Sequence, residues 1–164
     1  MDDFIQSQGV IWLPHILRRL ANRFTDACDL LFERYDIMVP ARLVSVVHLL
    51  HDRGPCGVTA IAAITGQSHP LINNYLKRLG ALGLVTTAPD TIDRRRTLVA
   101  LTDAGHAQAE RLLAIRPVLV DTYRDLLASA DADIFDALWR IEAALKRQGF
   151  AERVTAKEEA ERAS

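Results

Sequence analysis

The sequence has no apolar run that reaches the roughly 18 residues of a membrane span. It also holds only two cysteines, Cys28 and Cys56. The first shortage excludes a spanning helix from the architecture, and the second excludes a disulfide framework. The opening "MDDFIQSQGV" is acidic and polar and does not resemble a signal peptide, so a cytoplasmic location is expected. Internal repeats are missing. So is any Ser/His/Asp, paired-carboxylate or glycine-rich phosphate motif in a supporting context; no enzymatic activity, no cofactor and no metal centre are expected. Nor is there an excess of either charge, since 20 Lys and Arg face 21 Asp and Glu for a formal net charge of −1. That balance argues against a general polyanion binder.

What is present is ordinary globular composition: 164 residues, 49% apolar and 25% charged, enough for one compact domain with a substantial core. The charge is unevenly placed. Residues 66–101 carry Lys77, Arg78, Arg94, Arg95 and Arg96 against Asp90 and Asp93, whereas residues 102–164 carry nine basic against twelve acidic side chains. Such a distribution leaves DNA binding open, because local charge matters more than the total.

Residues 10–35 place Ile16, Leu20, Phe24, Cys28 and Leu31 at helical spacing and predict one long amphipathic helix with Pro14 in its first turn. Between Pro40 and Gly54-Pro55, Leu43, Val46, Val47 and Leu50 form the apolar face of a second helix. Two short helices follow, "GVTAIAAITG" and "SHPLINNYLKRLGALGL", the latter opening on Ser68 as N-cap. The period then changes: "LVTTA" and "RTLVAL" predict a two-stranded hairpin turned by "PDTIDR". Thr102 caps a further helix, in which Pro117 predicts a kink. A last helix begins after Asp131 or Asp133 and stops at Gly149, and the charged tail "AERVTAKEEAERAS" is expected to be frayed or only loosely helical.

On a helical wheel turning ~100° per residue, His69, Pro70, Asn73, Asn74, Lys77 and Arg78 fall on one half. Ser68, Leu71, Ile72, Tyr75, Leu76 and Leu79 occupy the other. Two successive asparagines oppose helix propensity, a conflict that marks positions in use. A solvated surface face is the bland alternative. Here, however, the face lies one turn after a small helix and just before a hairpin with an arginine-rich tip. The expectation is a mainly α (α+β) winged helix-turn-helix. In such a fold asparagine pairs with adenine and Lys or Arg with guanine or phosphate in the major groove, while wing arginines reach the minor groove or backbone.

The segment "GVTAIAAITGQSHPLINNYLKRLGALGLVTTAPDTIDRRRTLVALTDAG" resembles the MarR (multiple antibiotic resistance regulator) family. The shared pattern is Gly66-Gln67-Ser68, Leu79 to Val85, the Asp90-Thr91-Ile92-Asp93-Arg94-Arg95 wing and Leu101-Thr102-Asp103-Ala104-Gly105. The resemblance implies a homodimer that binds a pseudopalindromic operator in double-stranded DNA as a repressor or other regulator released by an effector. Residues 1–38 and 102–150 would form the helical dimerisation region, 39–101 the DNA-binding region and 151–164 the flexible tail. Apolar Trp12, Leu13, Leu17, Trp139, Ile141 and Leu145 exceed what one small winged-helix core buries, which independently suggests an interface. A two-fold dimer would set its recognition helices ~34 Å apart. By the same resemblance Ser68, His69, Leu71, Asn73, Asn74 and Lys77 face the groove, Asp93 orients the wing, and Arg94 reads the minor groove. Arg95 and Arg96 brace the wing or touch phosphates. Pro70 departs from relatives with a small hydroxyl residue and cannot donate to phosphate.

Small aromatic acids bind in this family between the dimer helices and the DNA-binding lobe. Trp12, His15, Arg19 and His48 are the candidate pocket for a small aromatic or anionic effector, with apolar walls and cationic ends. Two sensing alternatives remain: metal at His48 and His51, spaced i and i+3, with His15 and His106 elsewhere; or redox chemistry at Cys28 or Cys56. The rival class is a winged-helix protein-interaction module. The amide and cationic face argues against it, because docking faces are more aromatic and less cationic.

Overall fold

The structure is a computed structural model that describes residues 3–90, 97–130 and 133–163. It forms two compact units, Met1–Ile115 and Arg116–Ser164.

In the first unit a short helix α1 (Phe4–Ser7) starts under an Asp3 cap and is followed by a 3-10 turn, Gly9–Trp12. The long helix α2 (Leu13–Glu33) therefore begins three residues later than periodicity suggested, with Pro14 in its first turn, where a missing N–H costs nothing. Beyond α2 the chain reverses at Asp36, held at φ +51°. The Asp36 carbonyl accepts hydrogen bonds from Gln108 Nε2 at 3.1 Å and from Arg111 at 2.6 Å, and Gln108 Oε1 accepts from the Met38 N–H at 2.6 Å. Gln108 is the one buried polar side chain among the described residues, and both ends of its amide are satisfied.

A 3-10 turn, Ala41–Leu43, leads into α3 (Val44–Arg53), whose Val46, Val47, Leu49 and Leu50 are buried. Then come β1 (Cys56–Gly57), α4 (Val58–Thr65), α5 (His69–Ala81), β2 (Val85–Pro89), β3 (Thr97–Leu101) and α6 (Asp103–Ala128). The sheet has three strands in the order β1-β3-β2, all antiparallel. This corrects the two-stranded expectation: β1 pairs Cys56 with Val99 and Gly57 with Leu98, and two residues are too few to show any period. β2 and β3 pair from Val85↔Leu101 to Pro89↔Thr97, with Val99 and Leu101 turned into the core.

Every buried apolar side chain among the described residues belongs to this first unit. α6 continues helical through Pro117, and the boundary between the units falls two residues before that proline.

The second unit contains the end of α6, then α7 (Ile134–Arg147) and α8 (Phe150–Ala163). Asp133 caps α7 by accepting from the Asp136 N–H. The tail to Ala163, expected to be frayed or only loosely helical, falls within α8. Arg153 donates to the carbonyls of Ala144 and Gln148, tying the start of α8 to the end of α7, and Glu152 accepts from the Gly149 N–H. Pairing with the preceding helix end is not visible as an apolar stripe.

Candidate nucleic-acid interface

Two glycines in the left-handed region delimit the helix that carries the polar face. Gly66, at φ +66°, ends α4, and the Gln67 N–H bonds to the Ala62 carbonyl at 3.0 Å. Ser68 then caps α5, its hydroxyl accepting from the Leu71 N–H at 3.4 Å. At the other end Gly83, at φ +70°, bonds to the Gly80 carbonyl and the Leu84 N–H bonds to the Leu79 carbonyl. This is a Schellman stop, and Leu79 and Leu84, the positions of its usual hydrophobic pair, are both wholly buried. The family-like Leu-x-x-x-Gly-Leu-Val spacing is thus a helix terminator that also anchors α5 in the core.

Between these stops, Ile72 and Leu79 are buried, Leu71, Tyr75 and Leu76 are half-buried, and His69, Pro70, Asn73, Asn74, Lys77 and Arg78 are exposed with Ser68. The wheel division is realised within the helix, and Ser68, assigned to the packing half, is exposed at its cap. Arg78 also lines a cavity of about 490 Å³ together with Asp29, Glu33 and Asp36. The expectations for Asp93, Arg94, Arg95 and Arg96 lie outside the described residues. The flanking β2 and β3 are paired up to Pro89↔Thr97.

The Leu101-Thr102-x-x-Gly105 pattern has its reason in the hydrogen bonds of Thr102. Thr102 Oγ1 donates to the Gly83 carbonyl at 2.7 Å and accepts from the Gly105 N–H at 3.1 Å, while the Thr102 N–H bonds to the Leu84 carbonyl at 3.0 Å. One residue therefore caps α6 and clasps the terminator of α5. Only the N-cap half of that role could be read from the chain.

For the effector residues the outcome is divided. Trp12 and Arg19 line one cavity of about 350 Å³ with Ile5, Val10, Leu13 and Ile16, and the Trp12 and His15 rings meet edge to face with centroids 5.9 Å apart. His48 is half-buried on α3 and is not among that cavity's lining residues. Arg19 Nη1 pairs with Asp3 Oδ2 at 2.6 Å. The hydrogen bond from Arg19 holds the Asp3 carboxyl below its ordinary value, helped by the Ile5 and Gln6 N–H groups. Asp3 drew no attention as sequence. Cys28 and Cys56 are both half-buried thiols.

The helix, tight turn, second helix with an exposed polar face, and paired strands define a winged helix-turn-helix protein. No protein-family model matches the sequence. Over 108 residues it is 29% identical to the HTH-type transcriptional repressor NicR of Pseudomonas putida, a match covering 60% of this chain. The chain spans 61% of that repressor's length. A probable transcriptional regulator from Pseudomonas aeruginosa shares 26% identity at a TM-score of 0.59, over 81% of this chain and 96% of that one. The PcaV transcriptional regulator from Streptomyces coelicolor, solved with its natural ligand, shares 27% identity at a TM-score of 0.59, over 76% of this chain and 90% of that one. With the motif of residues 66–105, these likenesses make the chain similar to the MarR family of regulators.

Proposed function

We propose that the protein is a sequence-specific repressor of transcription that binds double-stranded DNA as a homodimer and is released by a small aromatic or anionic effector. The observation that carries the reading is the exposed face of α5, where Asn73, Asn74 and Lys77 stand on one side of a helix capped by Ser68 and terminated at the left-handed Gly83. A helix of this kind fits the major groove, and amide and cationic side chains are the groups that pair with base edges and phosphates there. The relatives with repressor and regulator names support the direction of the effect.

Two surfaces support the dimer. Leu13, Leu17, Leu20 and Phe24 on α2 recur at steps of four, three and four, as do Ile134, Leu138, Ile141 and Leu145 on α7. All eight remain between 38% and 45% exposed, an apolar seam on each helix of the kind that helix pairs bury. For the effector, the cavity at Trp12 offers apolar walls and the Arg19 guanidinium, which Asp3 now occupies. A small carboxylate would compete with Asp3 for that cation.

A mobility-shift titration with DNA flanking the gene tests this reading. The wild-type chain should bind one fragment in preference to scrambled DNA, and aromatic carboxylates should release it. Asn73→Ala should cost about 1–3 kcal/mol and relax the preference at one base position. Equal binding to scrambled DNA would leave the winged-helix interaction module as the better account.

A further inference from the structure

His51, in the last turn of α3, and His106, in the first turn of α6, meet within the first unit although 55 positions separate them in the chain. Their Nδ1 atoms are 3.4 Å apart and their rings are tilted by 59° with centroids 5.6 Å apart. On its far side, His51 Nε2 lies 3.3 Å from Glu110 Oε1, which is one helical turn beyond His106. An ionised carboxylate only accepts, so a neutral His51 ring with its hydrogen on Nε2, facing Glu110, would aim the Nδ1 lone pair at His106. The bare pair is then an N–H···N hydrogen bond donated by His106.

The same spacing has a second use. Two imidazole nitrogens, each ~2.0–2.1 Å from a tetrahedral ion, lie about 3.3–3.4 Å from one another. Metal-binding histidines also characteristically give their other ring N–H to a carboxylate, the position Glu110 holds. We propose that His51 and His106 form a clip for a divalent transition metal between α3 and α6. Both Nδ1 atoms coordinate the ion once the His106 hydrogen moves to Nε2, Glu110 orients His51, and water completes the shell. Imidazole donors select zinc, nickel or copper and not magnesium or calcium. Among the described residues no group of three His, Cys, Asp or Glu side chains is arranged to hold an ion, so the clip has two protein ligands. It binds more weakly than a closed structural site.

Helical spacing in the sequence paired His51 with His48; the tertiary structure pairs it with His106 instead. The location gives the ion something to brace. The first turn of α6 also carries Thr102 and Gly105, which hold the terminator of α5. None of this depends on the DNA-binding reading.

The test is thermal unfolding and calorimetry of the full chain with zinc or nickel, and with magnesium as control. The expected result is saturable binding of one ion per chain, with a Tm rise of about 3–6 °C at tenfold excess over Kd. Magnesium should give neither. His51→Gln and His106→Gln should lose the response, and His48→Gln should keep it. Because a variant can lose the response by unfolding, imidazole ¹⁵N spectra of the wild type supply a second measure: zinc should shift Nδ1 of both His51 and His106. Equal responses in the wild type and His106→Gln, shifts confined to Nε2, or no saturable binding at millimolar metal would each overturn the clip.

Discussion

Gly105 shows how much one residue can decide. A Cβ at this position would lie 2.1 Å from the Leu84 carbonyl oxygen and 3.2 Å from the Leu101 Cβ, so α6 approaches the terminator of α5 as closely as backbone allows. Gly105→Ala should lower stability by about 1–3 kcal/mol in urea unfolding, because the obstacle is main chain and cannot rotate away. Gly80, inside α5 with no atom within 4 Å of its Cβ position, is the contrast. Gly80→Ala should be neutral or stabilising by up to about 1 kcal/mol. Asp3 supplies the pH-dependent contact at this scale. Its carboxyl is held below the ordinary value by Arg19, so the folded state favours the charged form. The contact is therefore present above the usual carboxylate range and is lost as pH falls through the lowered midpoint. In an NMR titration of the Asp3 carboxyl, Arg19→Gln should move that midpoint upward.

At the scale of elements, α5 was legible because two signals agreed: the polar half of the wheel and glycines at the positions where a helix must stop. The structure adds that the Ser68 hydroxyl accepts the capping hydrogen bond and that Arg78 shares a cavity lining with Asp29, Glu33 and Asp36. β1 was not legible, since a two-residue strand exists only through its pairing with β3. The helicity of α8 was hidden for a related reason. Its support is a set of end contacts through Arg153 and Glu152, and no apolar face announces it. The wing prediction also belongs here. With the paired β2 and β3 as its base, Arg94→Ala should weaken operator binding and flatten the dependence of log K on log salt by about one unit. Titrations at several salt concentrations check it, and an unchanged slope would remove Arg94 from the phosphate and groove contacts.

At the scale of the molecule, the buried core and the apolar seams are separate features. The core fills the first unit, where Val46, Val47, Ile61, Ile72, Leu79 and Leu84 have no exposure at all. In the second unit no described apolar side chain is buried, and α7 leaves Leu138, Trp139, Ile141 and Leu145 open. Open surface of this extent favours association, because removing it from water yields roughly 25 cal/mol per Å². A Leu17→Glu, Leu138→Glu double variant should run as a monomer in light scattering at concentrations where the wild type is a dimer. A wild-type monomer would set aside the homodimer itself.

The sequence alone determined the helices and the two hairpin strands of the winged unit, where its second helix begins and ends, and which face of that helix stays polar. These are local matters, settled by periodicity, capping residues and the glycines that tolerate left-handed backbone. Tertiary structure decided the rest: the third strand, the clasp of Thr102 on Gly83, the Gln108 bridge to Asp36 and Met38, and the pairing of His51 with His106. Each of these joins residues from separate elements, and helical or strand periodicity does not record which elements will meet.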